Sequence, residues 1–303
     1  MIRSITATSH LGDTIKLGLF NPEDSGYIIQ SISGLGAGKA DINTSKMATA
    51  DGALFNSSRL DERNIVLSLM YYPISGKTVE DLRQQTYKFF PIKRKVILRI
   101  ETDNRDVEIV GYVETNESLI FSDKEGVDIS IICPDPFFHS RNTAETNFSG
   151  IEPAFEFPFG NESLTNNLLV MGEIKTKSEN VIYYDGDSEV GFTIKIHAVG
   201  DASEITIYNV LTREQMYIDT QKIEEMTGSG IIRSDDIIIN TEVGNKSIVL
   251  IRNGVTINIL NCVEKNTDWF KLSKGNNIFA YTAATGETNL QFVFFNRIIY
   301  EGV

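Results

Sequence analysis

The division of this chain is decided by one stretch, Ile131-Ile132-Cys133-Pro134-Asp135-Pro136-Phe137-Phe138. An alternating apolar strand runs into two prolines, which give no N–H to a strand ladder and hold the preceding residues in extended geometry. We therefore expect the sheet to end here, with a domain junction formed by Pro134, Asp135, Pro136, Phe137 and Phe138. The sequence predicts a first domain over residues 1–138, a linker over 139–150 and a second domain over 151–303.

The composition indicates a chain that folds without disulfides. Its 303 residues are enough for two domains that each bury their own core. Cys133 and Cys262 are the only cysteines, which is typical of a chain folded in a reducing cytosol. The sequence shows no apolar run of signal-peptide or membrane-spanning length. We therefore expect a soluble protein synthesised in the cytoplasm.

The formal net charge of −13 argues against a protein that wraps nucleic acid, because phosphate binding needs clustered Lys and Arg. An acidic surface suits a channel wall past which a polyanion slides without binding, as well as an ordinary soluble surface. Lys93-Arg94-Lys95, with Arg99, is the one basic cluster of the sequence. It could touch a phosphate backbone or an acidic neighbour, although a solvated strand start is the favoured interpretation.

One helix and several strands are predicted in the first domain. Thr78-Val79-Glu80-Asp81 resembles a capping box, and apolar residues at helical spacing follow it until Pro91 ends the helix. Alternating apolar residues predict strands on both sides of the helix, including a long central strand over residues 63–72. The first domain is therefore expected to be α+β, rich in strands and with one main helix.

A long polar segment over residues 34–58 interrupts this pattern. Long loops inside a compact domain are usually functional or become ordered on a partner, so we interpret this one as a contact loop. Its glycines and the strand that follows supply the candidate interface residues, which are Gly34, Gly36, Gly38, Gly52 and Arg63.

The second domain has an all-β pattern from Gly191 onward. Short alternating strands are separated by turn residues, which indicates an antiparallel sandwich. Asn253-Gly254 predicts the clearest hairpin, because a type I′ turn needs positive φ at both central residues.

Two stretches invite catalytic or nucleotide-binding interpretations. Gly34-Leu35-Gly36-Ala37-Gly38-Lys39-Ala40 resembles a phosphate loop, but its spacing is one residue short and Ala40 replaces the magnesium-binding hydroxyl. Cys133, Asp135 and His139 could be imagined as a nucleophile, an orienting acid and a base, yet they straddle the proline break. A flexible loop is the favoured interpretation of residues 34–40, and a buried strand end is the favoured interpretation of Cys133.

The candidates for metal and sugar binding are also weak. Asp185-Gly186-Asp187-Ser188-Glu189 offers alternating oxygens for calcium but lacks the remaining ligands, so a solvated turn is favoured. Trp269 could stack on a sugar, although a place in the core is favoured. Acids such as Glu152, Glu156 and Glu162 do not establish the facing pair that a glycosidase needs. The three histidines, His10, His139 and His197, have no zinc-ligand spacing.

The order of these pieces resembles the distal tail protein (Dit) family of tailed bacteriophages that infect Gram-positive bacteria. The resemblance covers most of the chain. Its motifs are the Gly-rich loop at 34–40, Asp51-Gly52-Ala53, Arg63-Asn64-Ile65-Val66-Leu67, the Cys133–Phe138 exit, Asp235-Asp236-Ile237-Ile238-Ile239-Asn240-Thr241, Asn253-Gly254, Asp268-Trp269-Phe270-Lys271-Leu272 and Gly275-Asn276-Asn277.

The resemblance implies a structural virion component of the tail tip or baseplate, with no enzyme activity, no cofactor and no metal. The first domain would form a six-membered ring around the DNA channel, between the tail tube protein and the tail-associated hub protein. DNA would pass through the lumen without specific binding, and no membrane would be involved. The second domain would be a galectin-type sandwich outside the ring, which in some relatives carries receptor-binding or accessory baseplate proteins.

Two other function classes stay open. A carbohydrate-binding module that contributes to host-surface adhesion would bind glycans through its second domain alone. A hydrolase of cell-wall polymers would lose activity when one specific carboxylate is changed.

Overall fold

The strand that enters the double-proline stretch ends at Cys133, as the sequence predicts. The computed structural model describes residues 1–49, 51–121, 124–153, 172–176 and 179–303, with side chains outside 149–153 and 172–176. The chain forms two units. Unit 1 comprises Met1–Arg141 together with Ile299–Val303, and unit 2 comprises Asn142–Ile298.

Unit 1 is a strand-rich unit with one main helix. Antiparallel pairs connect its strands in the order β2-β1-β7-β8-β9-β6-β3, and β10 pairs with β8. The elements are β1 Ile2–Ser9, β2 Thr14–Gly18, α1 Pro22–Ser25, β3 Tyr27–Ser33, β4 Ala40–Lys46, β5 Ala53–Leu60, β6 Arg63–Tyr71, α2 Val79–Phe89, β7 Lys95–Thr102, β8 Asp106–Leu119, β9 Gly126–Cys133 and β10 Phe138–Asn147.

The predicted capping box fixes the start of α2. The Thr78 hydroxyl accepts the Asp81 N–H, and the Asp81 carboxylate accepts the Thr78 N–H. Leu82 and Thr86 face the core, and the side-chain amide of Asn116 donates to the carbonyls of Thr86 and Phe90 at the other end. Both ends of the helix are therefore satisfied by residues of unit 1.

The described part of unit 2 contains two larger antiparallel sheets, the two-stranded β11–β12 sheet and one short helix. Its larger sheet has the order β19-β18-β17-β14-β21, and the second has the order β13-β20-β15-β16. The elements are β11 Ser149–Pro153, β12 Gly172–Thr176, β13 Glu179–Tyr184, β14 Thr193–Ala198, β15 Ser203–Asn209, β16 Gln215–Ile218, α3 Thr220–Thr227, β17 Asp236–Asn240, β18 Ser247–Arg252, β19 Val255–Asn258, β20 Gly275–Thr285 and β21 Leu290–Tyr300.

Aromatic side chains join the two sheets of unit 2. Phe279 of β20 lies 5.3 Å from Phe294 of β21 and 5.3 Å from Phe192, measured between ring centroids. Phe148 stacks on Phe294 at 4.6 Å, and all four rings are buried. This packing is that of a two-layer β core. The predicted Asn253-Gly254 turn is confirmed, with φ of 51° and 78° between β18 and β19.

The structure differs from the predicted boundaries at both ends of unit 2. Residues 139–150 were predicted as a linker, but β10 continues there and pairs His139 with Glu108 and Ser140 with Val107. Phe138 is buried in the core of unit 1, which explains why the chain re-enters that unit after the prolines. Residues 299–303, predicted as part of the second domain, belong to unit 1.

Two local predictions are also corrected. The contact loop predicted over residues 34–58 contains a β-hairpin, β4 with β5, whose Ser, Thr and Asn residues gave it a loop-like composition. The all-β pattern of the second domain missed α3, which starts at an Asp219 side-chain cap and ends at Gly228 with φ of 83°.

Candidate functional site

Most of the predicted interface and junction residues meet at the side chain of Arg63. Arg63 begins β6 and is 5% exposed. Its Nη1 donates to the carbonyls of Gly34 at 2.6 Å and Gly36 at 2.5 Å, and its Nε donates to the carbonyl of Pro136 at 2.7 Å. Its Nη2 donates to the carbonyl of Glu301 at 2.7 Å. One guanidinium therefore ties together the glycine loop, the double-proline exit and the last residues of unit 1.

The surroundings of Arg63 are those of a buried structural cation. Its guanidinium carbon lies 4.6 Å from the centroid of the Phe138 ring, within the range of a cation–π contact. Burial lowers the pKa of Arg63 from its ordinary value. An arginine stays charged in proteins, so the carbonyl dipoles must replace the water that the cation has lost.

A second arginine holds the same C-terminal segment. Arg105 donates from Nη1 to the Gly302 carbonyl at 2.7 Å, and its guanidinium lies 4.1 Å from the centroid of the Tyr300 ring. The Val303 N–H donates to the Leu35 carbonyl at 3.0 Å. The sequence did not predict the role of this segment, because Arg105 lies about 200 residues earlier and no local sequence pattern indicates the contact.

The four predicted glycines differ in what their positions require. Gly34 has φ of 84°, and a Cβ there would lie 2.1 Å from the Asn64 carbonyl oxygen. A Cβ on Gly38 would lie 3.5 Å from Nη2 of Arg63, whereas Gly36 has open space. Gly52 lies in the turn between β4 and β5 at φ of 95° with open space around it. The structure therefore brings Gly34, Gly36 and Gly38 to Arg63 and leaves Gly52 apart.

These differences lead to a graded alanine series. We expect Gly34→Ala to destabilise unit 1 by about 3 kcal/mol, because it combines positive φ with a backbone clash. Gly52→Ala should lose only about 1 kcal/mol for its positive φ, and Gly36→Ala should stay within about 0.5 kcal/mol. Urea unfolding of the three variants checks the order, and equal losses at Gly34 and Gly36 would contradict it.

Asp135 shapes the exit itself. Its carboxylate accepts the Phe137 N–H at 3.1 Å and lies 2.7 Å from Nε2 of His139. Burial raises the pKa of Asp135, but the hydrogen bonds from His139 and the Phe137 N–H outweigh it and leave that pKa lowered. This is an Asx turn that directs Phe138 into the core.

The imagined Cys133, Asp135 and His139 triad does not form. Cys133 is fully buried, and burial raises the pKa of its thiol to about 12. A thiol in this environment is not a nucleophile at neutral pH. Cys133 is the buried end of β9, as predicted, so the pair of His139 and Asp135 has no reactive thiol beside it.

The other sequence candidates also have structural partners. In the Asp185 to Glu189 turn, Asp185 lies 4.0 Å from Lys274, and Glu189 lies 3.5 Å from Lys271. Trp269 is half-buried, with Lys246 Nζ 5.1 Å from its ring centroid. Within the described ranges, no three His, Cys, Asp or Glu side chains are placed to hold a metal ion. Glu156, Glu162 and the side chain of Glu152 lie outside the described residues.

Lys93, Arg94 and Lys95 are exposed where β7 begins, which fits a solvated strand start. His10 is exposed, and His197 lies apart on β14, where its Nδ1 is 2.7 Å from the Asp236 carboxylate.

The β4–β5 hairpin is the second notable feature of unit 1. Every residue of β4 is exposed, and β5 is exposed up to Leu60. The register places Ile42 and Phe55 on one face, at 60% and 65% exposure, while Asp41 and Arg59 form an ion pair at 3.4 Å on the other. A two-stranded hairpin is marginally stable alone, and exposed apolar side chains on it indicate a contact surface.

Taken together, these features define a two-unit, strand-rich protein in which Arg63 holds the glycine loop, the double-proline stretch and the last residues of unit 1 together. Among the described residues, no helix is long and apolar enough to cross a membrane. The chain is similar in fold to the Dit protein (gp 19.1) of phage SPP1, described as a paradigm of the hub adsorption apparatus in phages that infect Gram-positive bacteria. The TM-score is 0.65 at 13% sequence identity, covering 97% of this chain and 99% of that one.

The resemblance to distal tail proteins is therefore confirmed at the level of the fold. A structure of the phage P2 baseplate in its activated conformation with Ca is a more distant match, with a TM-score of 0.49 at 13% identity over 98% of both chains. No protein-family model and no curated protein matches the sequence.

Proposed function

We propose that this chain is a structural component of a phage tail tip, in which six copies form a ring between the tail tube protein and the tail-associated hub protein. The observation that carries the proposal is the match to the SPP1 Dit fold over nearly the whole of both chains. Unit 1 would build the ring, and unit 2 would be the galectin-type sandwich that scaffolds peripheral baseplate proteins. The protein would be made in the host cytoplasm and would act in the virion without catalysis or a cofactor.

The β4–β5 hairpin is the part of unit 1 best suited to reach a neighbouring copy. Heterologous contacts between identical subunits close into rings when the rotation allows it, and exposed strands readily supply such contacts. Arg63 is buried, so we propose that it acts behind the interface by fixing the glycine loop that leads into the hairpin. Gly34, Gly36 and Gly38 would shape this loop, and Gly52 would shape the hairpin tip.

The net charge of −13 supports a ring through which DNA passes without specific binding. A wall with excess carboxylates repels phosphate and does not gain the counterion release that drives nucleic-acid binding. The proposed partners are therefore proteins, namely further copies of this chain, the tube, the hub and accessory baseplate proteins.

A pair of hairpin variants tests the ring contact. We expect Phe55→Asp to weaken self-association by about 30-fold, because a carboxylate would replace a ring buried at the contact. The fold should be unchanged, since Phe55 is exposed in the single chain. Ser57→Asp is the matched control, because the register places Ser57 on the opposite face of β5.

Sedimentation velocity across a concentration series would give the association constants of the three proteins. Equal association of wild type, Phe55→Asp and Ser57→Asp would remove the hairpin from the interface. It would leave the fold-based assignment of the protein to the tail tip intact.

A further inference from the structure

The β4–β5 hairpin is joined to the sheet of unit 1 by a segment that lies outside the strand ladders. The ladder between β3 and β6 ends at the pair Ser33 and Val66, and the ladder between β4 and β5 begins at the pair Ala40 and Leu60. The glycine loop, residues 34–39, connects β3 to β4 between these two pairs, and half of its residues are glycine. Glycine leaves the backbone wide conformational freedom. The direction of the hairpin therefore depends on contacts that other segments make with this loop.

Residues 299–303, which we call the strap, supply such contacts. The Val303 N–H donates to the Leu35 carbonyl at 3.0 Å. Gly302 lies directly against the loop, since a Cβ on it would be 3.1 Å from the carbonyl carbon of Gly36. The strap therefore contacts the middle of the glycine loop, backbone against backbone.

Two arginines hold the strap in this position. Arg63 joins the strap to the loop, because the same guanidinium donates to the carbonyl of Glu301 and to two carbonyls of the glycine loop. Arg105 donates to the carbonyl of Gly302 and stacks on the ring of Tyr300. The strap is therefore fixed by two cations as well as by its own N–H group.

The side chains of the strap favour its bound position. Ile299 is 3% exposed, and Tyr300 and Val303 pack against the buried core of unit 1. Release of the strap would return this apolar surface to water, so the bound strap is the stable state. A segment this short can nevertheless open locally, at a lower free energy than the unfolding of unit 1.

The strap is also synthesised late. Residues 1–141, which carry the hairpin and the rest of the sheet, leave the ribosome before unit 2, and the strap follows unit 2. At the usual rates of synthesis this order gives a delay of about 10–30 s. During that interval the glycine loop lacks its contacts with Gly302 and Val303.

We infer that the strap controls assembly, because it must bind the glycine loop before the β4–β5 hairpin takes the direction that contact with a neighbouring copy needs. A hairpin that samples many directions is competent for the contact only part of the time, and its apparent affinity falls in proportion. Assembly therefore waits until residues 299–303 have been made and bound. This inference rests on the ring proposed above and assigns the control of its formation to a segment outside the contact.

Spin-label distances in the full chain test the inference. Nitroxide labels at Ser57→Cys on β5 and Lys95→Cys on β7 report the direction of the hairpin relative to the sheet. Both positions are exposed, whereas the native Cys133 and Cys262 are buried and stay unlabelled. Labelled chains are diluted with unlabelled chains, so that only distances within one chain are measured. We expect a single narrow distance distribution when the strap is intact.

Two strap variants should change this result. Tyr300→Ala removes the ring that contacts Arg105, and Gly302→Val places a side chain against the glycine loop. Each should broaden the distance distribution about twofold and weaken self-association by about tenfold in sedimentation velocity. Tyr300→Phe keeps the ring and should restore both results. Tyr72→Ala removes another tyrosine of unit 1, which is 43% exposed, and should change neither.

The outcomes separate control of the hairpin from a general effect on stability. Circular dichroism and urea unfolding identify the variants that remain folded. An unchanged label distance in a folded strap variant would overturn the inference, because the strap would then only add stability to unit 1. Unchanged self-association despite a broadened distance would overturn it as well. Failure of the wild-type chain to associate would instead count against the proposed ring, and a distance that broadens in the strap variants would still support control of the hairpin by the strap.

Discussion

Replacing Arg63 by alanine should destabilise unit 1 by about 4 kcal/mol, among the largest effects expected of a single substitution. The variant would leave the carbonyls of Gly34, Pro136 and Glu301 without their shared donor and would open a void beside Phe138. Arg63→Lys should lose about 2 kcal/mol, because a single ammonium cannot reproduce the planar fork of the guanidinium. Urea unfolding measures both losses.

Hydrogen exchange distinguishes a local from a general effect of this variant. If Arg63 fixes the glycine loop, amides of residues 34–39 should lose protection in Arg63→Lys before the strands β7 and β8 do. Arg59→Ala is the control, since that side chain is 77% exposed and its loss should stay within about 0.5 kcal/mol. A loss below about 1 kcal/mol for Arg63→Ala would show that Arg63 does not hold the three segments together.

Replacing Asp235 by alanine should cost unit 2 about 3–5 kcal/mol. The Asp235 side chain is 2% exposed and accepts two hydrogen bonds from Arg252, at 2.9 Å from Nε and 2.6 Å from Nη2. It also accepts the Ile232 N–H at 3.0 Å. Without it, the largely buried Arg252 cation would keep the oxygens of Thr227, Ser229 and Gly230 as its partners.

A double-mutant cycle with Arg252→Met isolates the pair. We expect a coupling energy of about 2 kcal/mol or more, because removing both partners does not leave an isolated buried charge. Asp236→Ala is the neighbouring control, since its partners Lys195 and His197 are about 40% exposed and screened by water. Additive losses in the cycle would show that Asp235 and Arg252 act separately.

Local signals in the sequence predicted local structure well. The Thr78 and Asp81 capping box, the Asn253-Gly254 turn and the end of β9 at Cys133 each depend on residues within a few positions of one another. Their physics is contained in short spans, where proline, glycine and hydroxyl side chains act on the neighbouring backbone. The order of such elements was enough to suggest the Dit fold.

Long-range contacts could not be predicted in the same way. Nothing near Arg63 in sequence reveals that it bonds Glu301, which lies 238 residues away, and nothing near residues 299–303 shows that they return to unit 1. Residues 138–147, most of which were predicted as linker, form strand β10, in which His139 and Ser140 pair with Glu108 and Val107 of β8. Backbone pairing of this kind needs no apolar pattern, so composition alone misses it.

The predicted site residues also show this difference between local signals and long-range contacts. The sequence predicted Gly34, Gly36, Gly38 and Arg63 as interface residues. In the structure, the buried Arg63 guanidinium donates to the carbonyls of Gly34 and Gly36, and Gly38 lies next to it. Arg105 and the C-terminal residues complete the cluster and were not foreseen. Whether these residues also affect subunit contacts stays a prediction for the assembly experiments.

The central claim, that this chain builds a ring at the tail tip, is tested most directly by the native mass of the purified protein, alone and mixed with its tail tube protein. The claim predicts a closed assembly with six times the mass of the 33.8 kDa chain, in at least one of the two samples. A monomer mass in both samples, at concentrations well above those of tail assembly, would contradict it.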